Sequence, residues 1–485
     1  MDKFALFEKW LVDSGSQFPK LVLEDYGNEV RGCHATEPIL KNDTIVDIPL
    51  KCLITVEMGK ETLVGKAVLA SNIDLDAPKH IFLMLFILTD RLSPDSFFKP
   101  YYDILPPTLS NMPIFWNDKE KALLKGSYVL EQIAERNDAI EQDYKSICAI
   151  APDMTKMCTL ADFKWARMCV CSRNFGIVVN GLRTAALVPY ADMLNHLRPR
   201  QSKWQFEDHS QSFTISSLAD LAMGVQVCDS YGQKCNHRFL LNYGFSVESN
   251  VESDGFCPNE CPFLLALSAE DNMFDEKAAV LRRDGGSSTA RRVRVAVGDA
   301  DSMKLFFALL RLVVLSSKDY AECLPGGLRT LREATVPFSV ENEAAAMTLL
   351  KNKCMSMLDC YPTSYDQDVA RLSGEAPVLE DSQTEDPVGI MYTNERHAVL
   401  QVRGEKEVLG HFLVLSELAL DLLTSGCSDV ELEAIIKERL RGRVHENIYQ
   451  YCRGPILRVT RAATRKAQGL EPAVAEPAVA EPAVA

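Results

Sequence analysis

The stretch LVPYADMLNHLRPR, Leu187–Arg200, passes from an apolar run to three polar side chains within a few residues. Asp192, Asn195 and His196 follow a segment whose composition predicts burial. An acid, an amide and an imidazole beside a buried wall are costly to desolvate unless they are paired. Taken singly, Asn195 is typical of a turn and His196 of a hydrogen-bonded core histidine. The group as a whole needs another explanation.

A second unusual stretch, DSYGQKCNHRFLLNYGF, covers Asp229–Phe245. Its two tyrosines, Tyr231 and Tyr243, each stand before a glycine, and each is also compatible with an ordinary half-buried aromatic residue. His237 repeats the Asn-His pair of the first stretch, but its neighbours favour an exposed helix start, so we do not count it as a site residue. The two stretches are interpreted together.

Composition limits the class of protein. The 485 residues are 47% hydrophobic and 25% charged, which is typical of a globular protein long enough for two or three domains. The formal net charge of -15 and the lack of a basic stripe argue against a nucleic-acid binder. The apolar runs Ile81–Leu88 and Leu305–Leu315 are too short to span a membrane. We expect a soluble, cytoplasmic protein that does not bind membranes.

The cysteines do not form a recognisable framework. There are 15 of them, an odd number, and they are scattered along the chain. The close pairs Cys169/Cys171 and Cys257/Cys261 each lack a second pair at zinc-ligand spacing. Reduced, buried thiols are the favoured interpretation, and we expect no metal site.

Hydrophobic periodicity divides the chain into segments. Residues 19–56 have strand character, about 60–170 are helical, and 176–227 return to strand-like alternation. This order predicts one β-rich domain, 1–250, that carries a helical insert. Residues 251–460 show long helical patterns and predict a second, mainly helical domain.

Two further segments are predicted to lie outside the packed cores. RLSGEAPVLEDSQTEDPV, residues 371–388, is acidic and contains proline, so we expect a solvated loop. The last residues, 461–485, end in three EPAVA repeats. A proline in every repeat and the lack of large apolar side chains predict a disordered tail.

Four motifs in order carry a resemblance to a known family. They are RGCHATEPILKNDTIVDIP at Arg31–Pro49, CSRNFG at Cys171–Gly176, LVPYADMLNH in the first stretch and SYGQKCNHRFLLNYGF in the second. Together they resemble the SET-domain protein methyltransferases, in the branch of the Rubisco large-subunit lysine methyltransferases and the actin-histidine methyltransferases. The resemblance implies an α+β fold: a β-rich SET domain with a helical insert, then a helical substrate-binding domain.

The resemblance also implies roles for individual residues. Tyr231 corresponds to the catalytic tyrosine beside the transferred methyl group. The cofactor, S-adenosylmethionine, is expected to contact Glu29, Val30, Arg31, Arg173, Asp192, Asn195, His196 and Tyr231. The acceptor side chain is expected to contact Phe175, Ala191 and Tyr243. The family usually has a Gly-x-Gly turn near the cofactor; here Val30 replaces the first glycine and Gly32 keeps the second.

The implied chemistry needs these residue types. A lysine amine has a pKa of about 10.4 and must lose its proton before it can attack a methyl group. Burial in an apolar channel beside a positive sulfonium lowers that pKa through desolvation and like charge. Tyr231 can direct its hydroxyl oxygen toward the methyl group, and most of the rate gain is expected from orientation.

The acceptor is predicted from two positions. The actin-histidine branch has an asparagine and a tryptophan where this chain has Phe175 and Ala191, and phenylalanine cannot hydrogen-bond an imidazole. The sequence therefore favours lysine on a non-histone protein, with histidine as the alternative acceptor. A non-catalytic SET-fold interaction scaffold is the alternative from another class. We expect a monomer whose partner is its protein substrate.

Overall fold

The computed structural model describes residues 2–27, 29–285, 287, 289–324, 326–374, 393–425, 431, 434, 435, 438 and 446–468. The chain divides into two compact units. The first unit comprises Met1–Phe256 and Arg371–Gln401, and the second comprises Cys257–Ala370 and Val402–Ala485. The sequence places the domain boundary at 250 and does not anticipate that a later segment belongs to the first unit.

The first unit contains helices and short strands. Its described helices are α1 (Lys3–Asp13), α2 (Val56–Glu61), α3 (Leu63–Ala70), α4 (Pro78–Asp90), α5 (Lys99–Tyr102), α6 (Asp118–Ala122), α7 (Val129–Ile150), α8 (Met154–Met157), α9 (Leu160–Arg173) and α10 (Asn236–Tyr243). Its described strands are β1 (Leu21–Gly27), β2 (Val30–Ala35), β3 (Thr44–Pro49), β4 (Ile54–Thr55), β5 (Asn174–Val179), β6 (Leu182–Leu187), β7 (Ser202–Glu207), β8 (Ser212–Ser217) and β9 (Gln226–Val227).

The strands of the first unit form small antiparallel sheets. Their orders are β1-β2-β9, β3-β8-β7 and β4-β6-β5. Each sheet joins strands that precede the helical segment α2–α9 to strands that follow it. The helical segment is therefore an insert in a β scaffold, as predicted.

The insert has its own apolar core. Helix α4, PKHIFLMLFILTD, buries Ile81, Leu83, Leu85, Ile87 and further apolar side chains, so it is covered on most of its circumference. A helix that is apolar nearly all round is stable only when packed inside a domain. It contacts α2 and α9, and the end of α9 leads directly into β5.

The second unit is mainly helical. Its described elements are the strands β10 (Glu260–Ala266) and β11 (Ala290–Ala296), and the helices α11 (Phe274–Arg283), α12 (Ala300–Val313), α13 (Ser317–Cys323), α14 (Val340–Leu358), α15 (Tyr365–Leu372), α16 (Asn394–Thr424), α17 (Glu446–Tyr451) and α18 (Leu457–Ala467). The antiparallel β10–β11 pair is not predicted from the sequence. Helix α15 begins in this unit and its last two residues, Arg371 and Leu372, belong to the first unit; α16 begins in the first unit and continues into the second from Val402.

Three further expectations can be compared with the structure. No described helix combines the length and hydropathy needed to cross a membrane. The cysteines among the described residues are free thiols. Residues 375–388 of the acidic segment and 469–485 of the tail lie outside the described residues. Residues 461–467 are helical, so the prediction of a disordered tail from residue 461 is wrong for its first turns.

Candidate functional site

Strand register brings Arg173 to the first stretch. Strand β5 pairs with β6 so that Asn174 lies opposite Leu187. Arg173, the last residue of α9, therefore lies beside the segment that leaves β6. Its Nη1 donates to Asp192 Oδ2 at 3.0 Å and to the Asp192 carbonyl at 3.2 Å.

A strained tyrosine turns the chain between β6 and Asp192. Tyr190 has a φ of 76°, a conformation that is rare for bulky residues. Its ring is fully buried and stacks on Phe18 with centroids 3.8 Å apart. The packing of the ring compensates for the strain in the backbone. The apolar VPYA segment therefore has a structural purpose. Its buried Tyr190 fixes the direction of the chain that carries the polar residues after it.

The two stretches lie side by side. His196 and Asp229 form a parallel bridge, in which the Asp229 amide donates to the Asn195 carbonyl at 2.8 Å. The backbone N–H of Tyr231 donates to His196 Nδ1 at 3.0 Å, and the Tyr231 hydroxyl donates to the Leu194 carbonyl at 2.8 Å. Tyr231 is thereby held in a fixed orientation against the Asn-His pair.

Asn195 also connects this pair to β2. Its side-chain amide donates to the Arg31 carbonyl at 2.8 Å. Strand β2 pairs on its other side with β9, with Cys33 opposite Val227. Arg31, the Asn-His pair and Tyr231 are thus joined by hydrogen bonds across three separate parts of the chain.

A cavity of about 1290 Å³ lies within the first unit, and most of the predicted site residues line it. Those that line it are Glu29, Val30, Arg31, Arg173, Asp192, Asn195, His196, Tyr231 and Tyr243. The rings of Tyr231 and Tyr243 stack with their centroids 4.8 Å apart. The structure brings these residues together; their individual roles remain predictions.

A buried ion pair forms one wall of the cavity. The Asp192 side chain is 1% exposed, and its Oδ2 accepts from Arg173 and also from the Tyr101 hydroxyl at 2.8 Å. Burial works against the charged guanidinium, but the negative charge of Asp192 raises the pKa of Arg173. Burial and the same carboxylate raise the pKa of Tyr101, so this tyrosine is a neutral donor.

His196 and Tyr231 are both uncharged at neutral pH. Burial lowers the pKa of His196 to about 4, with the nearby charges of Arg198 and Lys234 acting in the same direction. Because Nδ1 accepts a hydrogen bond, the proton of the neutral ring is on Nε2. Burial also raises the pKa of Tyr231, so its hydroxyl keeps its proton.

Four buried polar atoms of cavity-lining residues have no hydrogen-bond partner among the described residues. They are Arg31 Nη2, Arg173 Nε, Asp192 Oδ1 and His196 Nε2. Leaving a buried polar group without a partner costs about 1–3 kcal/mol, and more if it is charged. These atoms are three hydrogen-bond donors and one carboxylate acceptor, all from residues that line one cavity. They suit a ligand that carries a negative charge, a positive charge and further hydrogen-bonding groups.

Val30 is compatible with the backbone that the structure shows. It is the first residue of β2, lies opposite Gly27 and has an ordinary strand conformation, in which valine is favoured. The positive φ values of this turn are at Gly27 and Glu29. A Cβ at Gly32 would displace the ends of the Gln226 and Tyr26 side chains.

Two predicted acceptor residues do not line the cavity. The Phe175 ring packs edge-on against Trp204 and Phe213, with centroids 5.5 and 5.0 Å away. Ala191 is 1% exposed and is absent from the lining. The pleat of β5 turns Phe175 toward the sheet of β7 and β8, and the contact of Phe175 and Ala191 with an acceptor side chain stays a prediction.

One prediction about the second stretch is wrong. His237 does lie at the start of α10, but it is buried instead of exposed. The Tyr128 hydroxyl and His237 Nδ1 are 2.8 Å apart. Helix α10 contacts α7 and α9 of the insert.

Several lining residues have no signal in the sequence. Tyr26 and Gln226 are joined by a 2.7 Å hydrogen bond, and both line the cavity. The start of α16 also contributes, and there His397 Nδ1 accepts from the Ser246 amide at 3.1 Å. These positions come from distant segments, so only the pairing of elements reveals them.

Comparisons with known proteins agree with this geometry. A family model described as Rubisco LSMT substrate-binding matches residues 268–409. Actin-histidine N-methyltransferase of Mus musculus is 26% identical over 383 residues, which cover 76% of this chain and 63% of that protein. The Gallus gallus protein of the same name is 25% identical over 427 residues, or 84% of this chain and 67% of that one. The chain spans less than two thirds of the length of several of these relatives.

Solved structures extend the likeness to almost the whole chain. The SET domain of LSMT, in a structure described as bound to lysine and AdoHcy, superposes with a TM-score of 0.70 and 22% identity over 92% of this chain and 98% of that one. Rubisco LSMT, described as bound to AdoMet, has a TM-score of 0.67 over 93% of this chain. The chain has the SET-domain fold of this branch. The predicted α+β class of this SET-domain fold is confirmed, with the helical insert in the first unit and a mainly helical second unit.

Proposed function

We propose that the protein is an S-adenosylmethionine-dependent protein methyltransferase. The observation that carries this proposal is the bridge between His196 and Asp229, which sets Tyr231 beside the Asn195-His196 pair on one cavity. Two comparisons support the proposal further. The sequence relatives are named methyltransferases, and the solved structures with this fold are described as bound to AdoMet or AdoHcy.

The polar groups of the cavity fit this cofactor. Asp192 Oδ1 can accept from an ammonium group, while Arg31 Nη2 and Arg173 Nε can donate to a carboxylate. His196 Nε2 offers a further donor for the nucleoside. When bound, S-adenosylmethionine supplies a methyl group on a positively charged sulfur. The residues of this chain bind it, orient it and keep water away.

Tyr231 is the residue best suited to align the reacting groups. Its proton is committed to the Leu194 carbonyl, so its oxygen lone pairs face outward for weak C–H···O contacts. Stacking on Tyr243 fixes the Tyr231 ring. The Phe245 ring packs against it edge-on, with the two centroids 6.1 Å apart. A rigid aromatic wall of this kind also favours the neutral form of an acceptor amine or imidazole.

The acceptor residue is the finer part of the proposal. The names of the curated relatives favour histidine over the lysine that the sequence favours. The sequence argument for lysine depends on Phe175 and Ala191, whose contact with the acceptor is itself a prediction. Lysine stays the second candidate, because the solved structures of the same fold are described with lysine or methyllysine.

The acceptor can be identified directly. The protein would be incubated with isotopically labelled S-adenosylmethionine and either purified actin or a cell extract. The labelled residue would then be located by peptide mass spectrometry. Label on histidine supports the leading proposal, and label confined to lysine supports the second.

Tyr231→Phe tests the catalytic role. We expect turnover to fall at least tenfold while the dissociation constant for S-adenosylmethionine changes less than threefold, since the hydroxyl aligns the methyl group and does not anchor the ligand. Tyr365→Phe, which removes a hydroxyl from an exposed tyrosine of the second unit, is the matched control. Equal losses of binding and turnover in Tyr231→Phe would make the hydroxyl merely structural.

The scaffold alternative predicts no cofactor binding. At 100 times its dissociation constant, a ligand that binds only the folded state adds about 2.7 kcal/mol to the free energy of unfolding. Stabilisation by S-adenosylmethionine therefore supports an enzyme. An unchanged melting curve at every concentration would favour the scaffold.

A further inference from the structure

Arg198 lies at the end of the first stretch, two residues after His196, and its side chain is 7% exposed. It is not among the residues that line the cavity. Its Nη1 donates to Asn250 Oδ1 at 2.6 Å and lies 3.0 Å from Glu252 Oε1. A buried charge is costly unless it is paired and hydrogen-bonded, and these contacts meet both conditions on one side of the guanidinium.

The other side of the guanidinium holds the loop that follows Tyr231. Arg198 Nη2 donates to the Gly232 carbonyl at 3.0 Å and to the Lys234 carbonyl at 3.4 Å. Asn250 Nδ2 donates to the same Lys234 carbonyl at 3.0 Å. Because the donors of a guanidinium form a rigid planar fork, they fix the direction of the groups that they bind. The loop is therefore held in place by its backbone.

The side chain of Lys234 connects this loop to two tyrosines of the cavity. Its Nζ donates to the Tyr231 carbonyl and lies 5.8 Å from the centroid of the Tyr243 ring. An ammonium group at this distance from an aromatic ring is attracted to it. The Tyr231 and Tyr243 rings stack and both line the cavity. A shift of the loop would therefore also move this pair of rings.

Arg198 also supports the aromatic wall from behind. Its guanidinium carbon lies 5.4 Å from the centroid of the Phe239 ring. That ring stacks on Phe245 with centroids 5.2 Å apart, and its centroid is 4.7 Å from that of His196. Phe245 and His196 both line the cavity. One buried side chain thus contacts the loop after Tyr231 and the ring that backs the wall.

We propose that Arg198 is a positioning residue for the methyl transfer, which fixes the orientation of Tyr231 through the carbonyls of Gly232 and Lys234. This inference rests on the proposed function, because it concerns the alignment of Tyr231 with the transferred methyl group. Arg198 acts through other residues and touches neither ligand. A displacement of about 1 Å in a reacting geometry can lower a rate about 100-fold. Arg198 should therefore affect kcat and leave the binding of S-adenosylmethionine nearly unchanged.

The test separates turnover from binding. On the full chain, kcat and KM would be measured with purified actin or, if actin is not methylated, with the protein that the extract experiment identifies. Calorimetry would give the dissociation constant for S-adenosylmethionine. In Arg198→Met we expect kcat to fall at least tenfold, while KM and the dissociation constant change less than threefold. In Arg198→Lys, kcat should lie between these two values, because an ammonium group can still donate to the Gly232 carbonyl.

Lys234→Met is a second variant that leaves Arg198 in place, and it decides the question if Arg198→Met does not fold. Lys234 is half-buried, and methionine keeps much of its apolar volume. The substitution removes the ammonium group from the Tyr231 carbonyl and from the Tyr243 ring. We expect kcat to fall at least threefold, again with little change in the binding of S-adenosylmethionine.

Arg91→Met is the matched control. Arg91 donates to Asp162 at 3.0 Å and lies 4.8 Å from the centroid of a Trp165 ring, but it does not line the cavity and makes no printed contact with the loop after Tyr231. It should keep the wild-type kcat.

Three results would overturn the inference: an unchanged kcat in Arg198→Met or in Lys234→Met, equal losses of kcat and cofactor binding, or an Arg198→Lys variant as slow as Arg198→Met. A different result, a wild type that binds no S-adenosylmethionine or that methylates neither actin nor any protein of the extract, would show that the proposed function itself has failed.

Discussion

Tyr101→Phe offers a sharp test of how the insert supports the site. Tyr101 lies in α5 of the insert and is fully buried, and its hydroxyl donates to Asp192 Oδ2 at 2.8 Å. It does not line the cavity. It therefore acts as a positioning residue, which holds the carboxylate that in turn holds Arg173.

The expected cost follows from this geometry. A hydrogen bond to a charged group contributes about 1.5–3 kcal/mol. Asp192 Oδ2 keeps its 3.0 Å bond to Arg173 after the substitution, so we expect the lower end, about 1.5 kcal/mol of the free energy of unfolding of the first unit. If the carboxylate then shifts, part of this cost appears as weaker ligand binding, up to about tenfold.

Tyr102→Phe is a matched control from the next position of the same helix. Its hydroxyl donates to Asp90 at the same distance, 2.8 Å, and Asp90 is not a cavity residue. Denaturant unfolding and calorimetry with S-adenosylmethionine would be measured for both variants. Both should be less stable, and Tyr101→Phe alone should bind more weakly. Unchanged affinity in both variants would refute the idea that the insert positions the site through Tyr101.

The remaining predictions concern space and protonation. Gly32→Ala should weaken S-adenosylmethionine binding several-fold, because the added methyl group displaces the Gln226–Tyr26 pair from the cavity wall. The control is Gly176→Ala, whose Cβ would have open space; it should bind S-adenosylmethionine as the wild type does in the same calorimetric assay. His196 has a folded-state pKa of about 4, below its unfolded value of about 6.5, so the unfolded state binds more protons between these values and stability falls as pH falls through this window. His196→Gln should flatten that dependence by less than about 1.4 kcal/mol per pH unit, since the ring is partly exposed. Equal slopes in the wild type and His196→Gln would contradict the pKa.

Local patterns in the sequence predict much of the first unit. Alternation over residues 19–56 corresponds to β1–β4, and the helical periodicity that follows corresponds to α2–α9. These signals are local because the spacing of side chains along a helix or strand depends on the backbone period alone. The pair β10–β11 was missed, since arginines alternate with valines in β11 and long helical patterns surround it.

The site was predicted in part. The motifs identify Asn195, His196 and Tyr231, which the structure joins through one bridge. The contact of the Arg31 side chain with the Ile104 carbonyl and the hydrogen bond from Tyr101 to Asp192 depend on which segments pair, and no local pattern encodes that. Phe175 is the opposite case. The motif correctly predicts its place in strand β5, but its ring packs against Phe213 of the neighbouring sheet instead of lining the cavity.

The amino-acid sequence by itself determined the order of strands and helices, the presence of an insert and the identity of the polar residues in the two stretches. Those properties follow from periodicity and from residue chemistry, which act over a few positions. Only the tertiary structure decided that Arg173 and Tyr101 share one buried carboxylate and that the start of α16 contributes to the cavity. Such contacts depend on strand register and core packing. In both, residues far apart in the chain jointly stabilise the folded state.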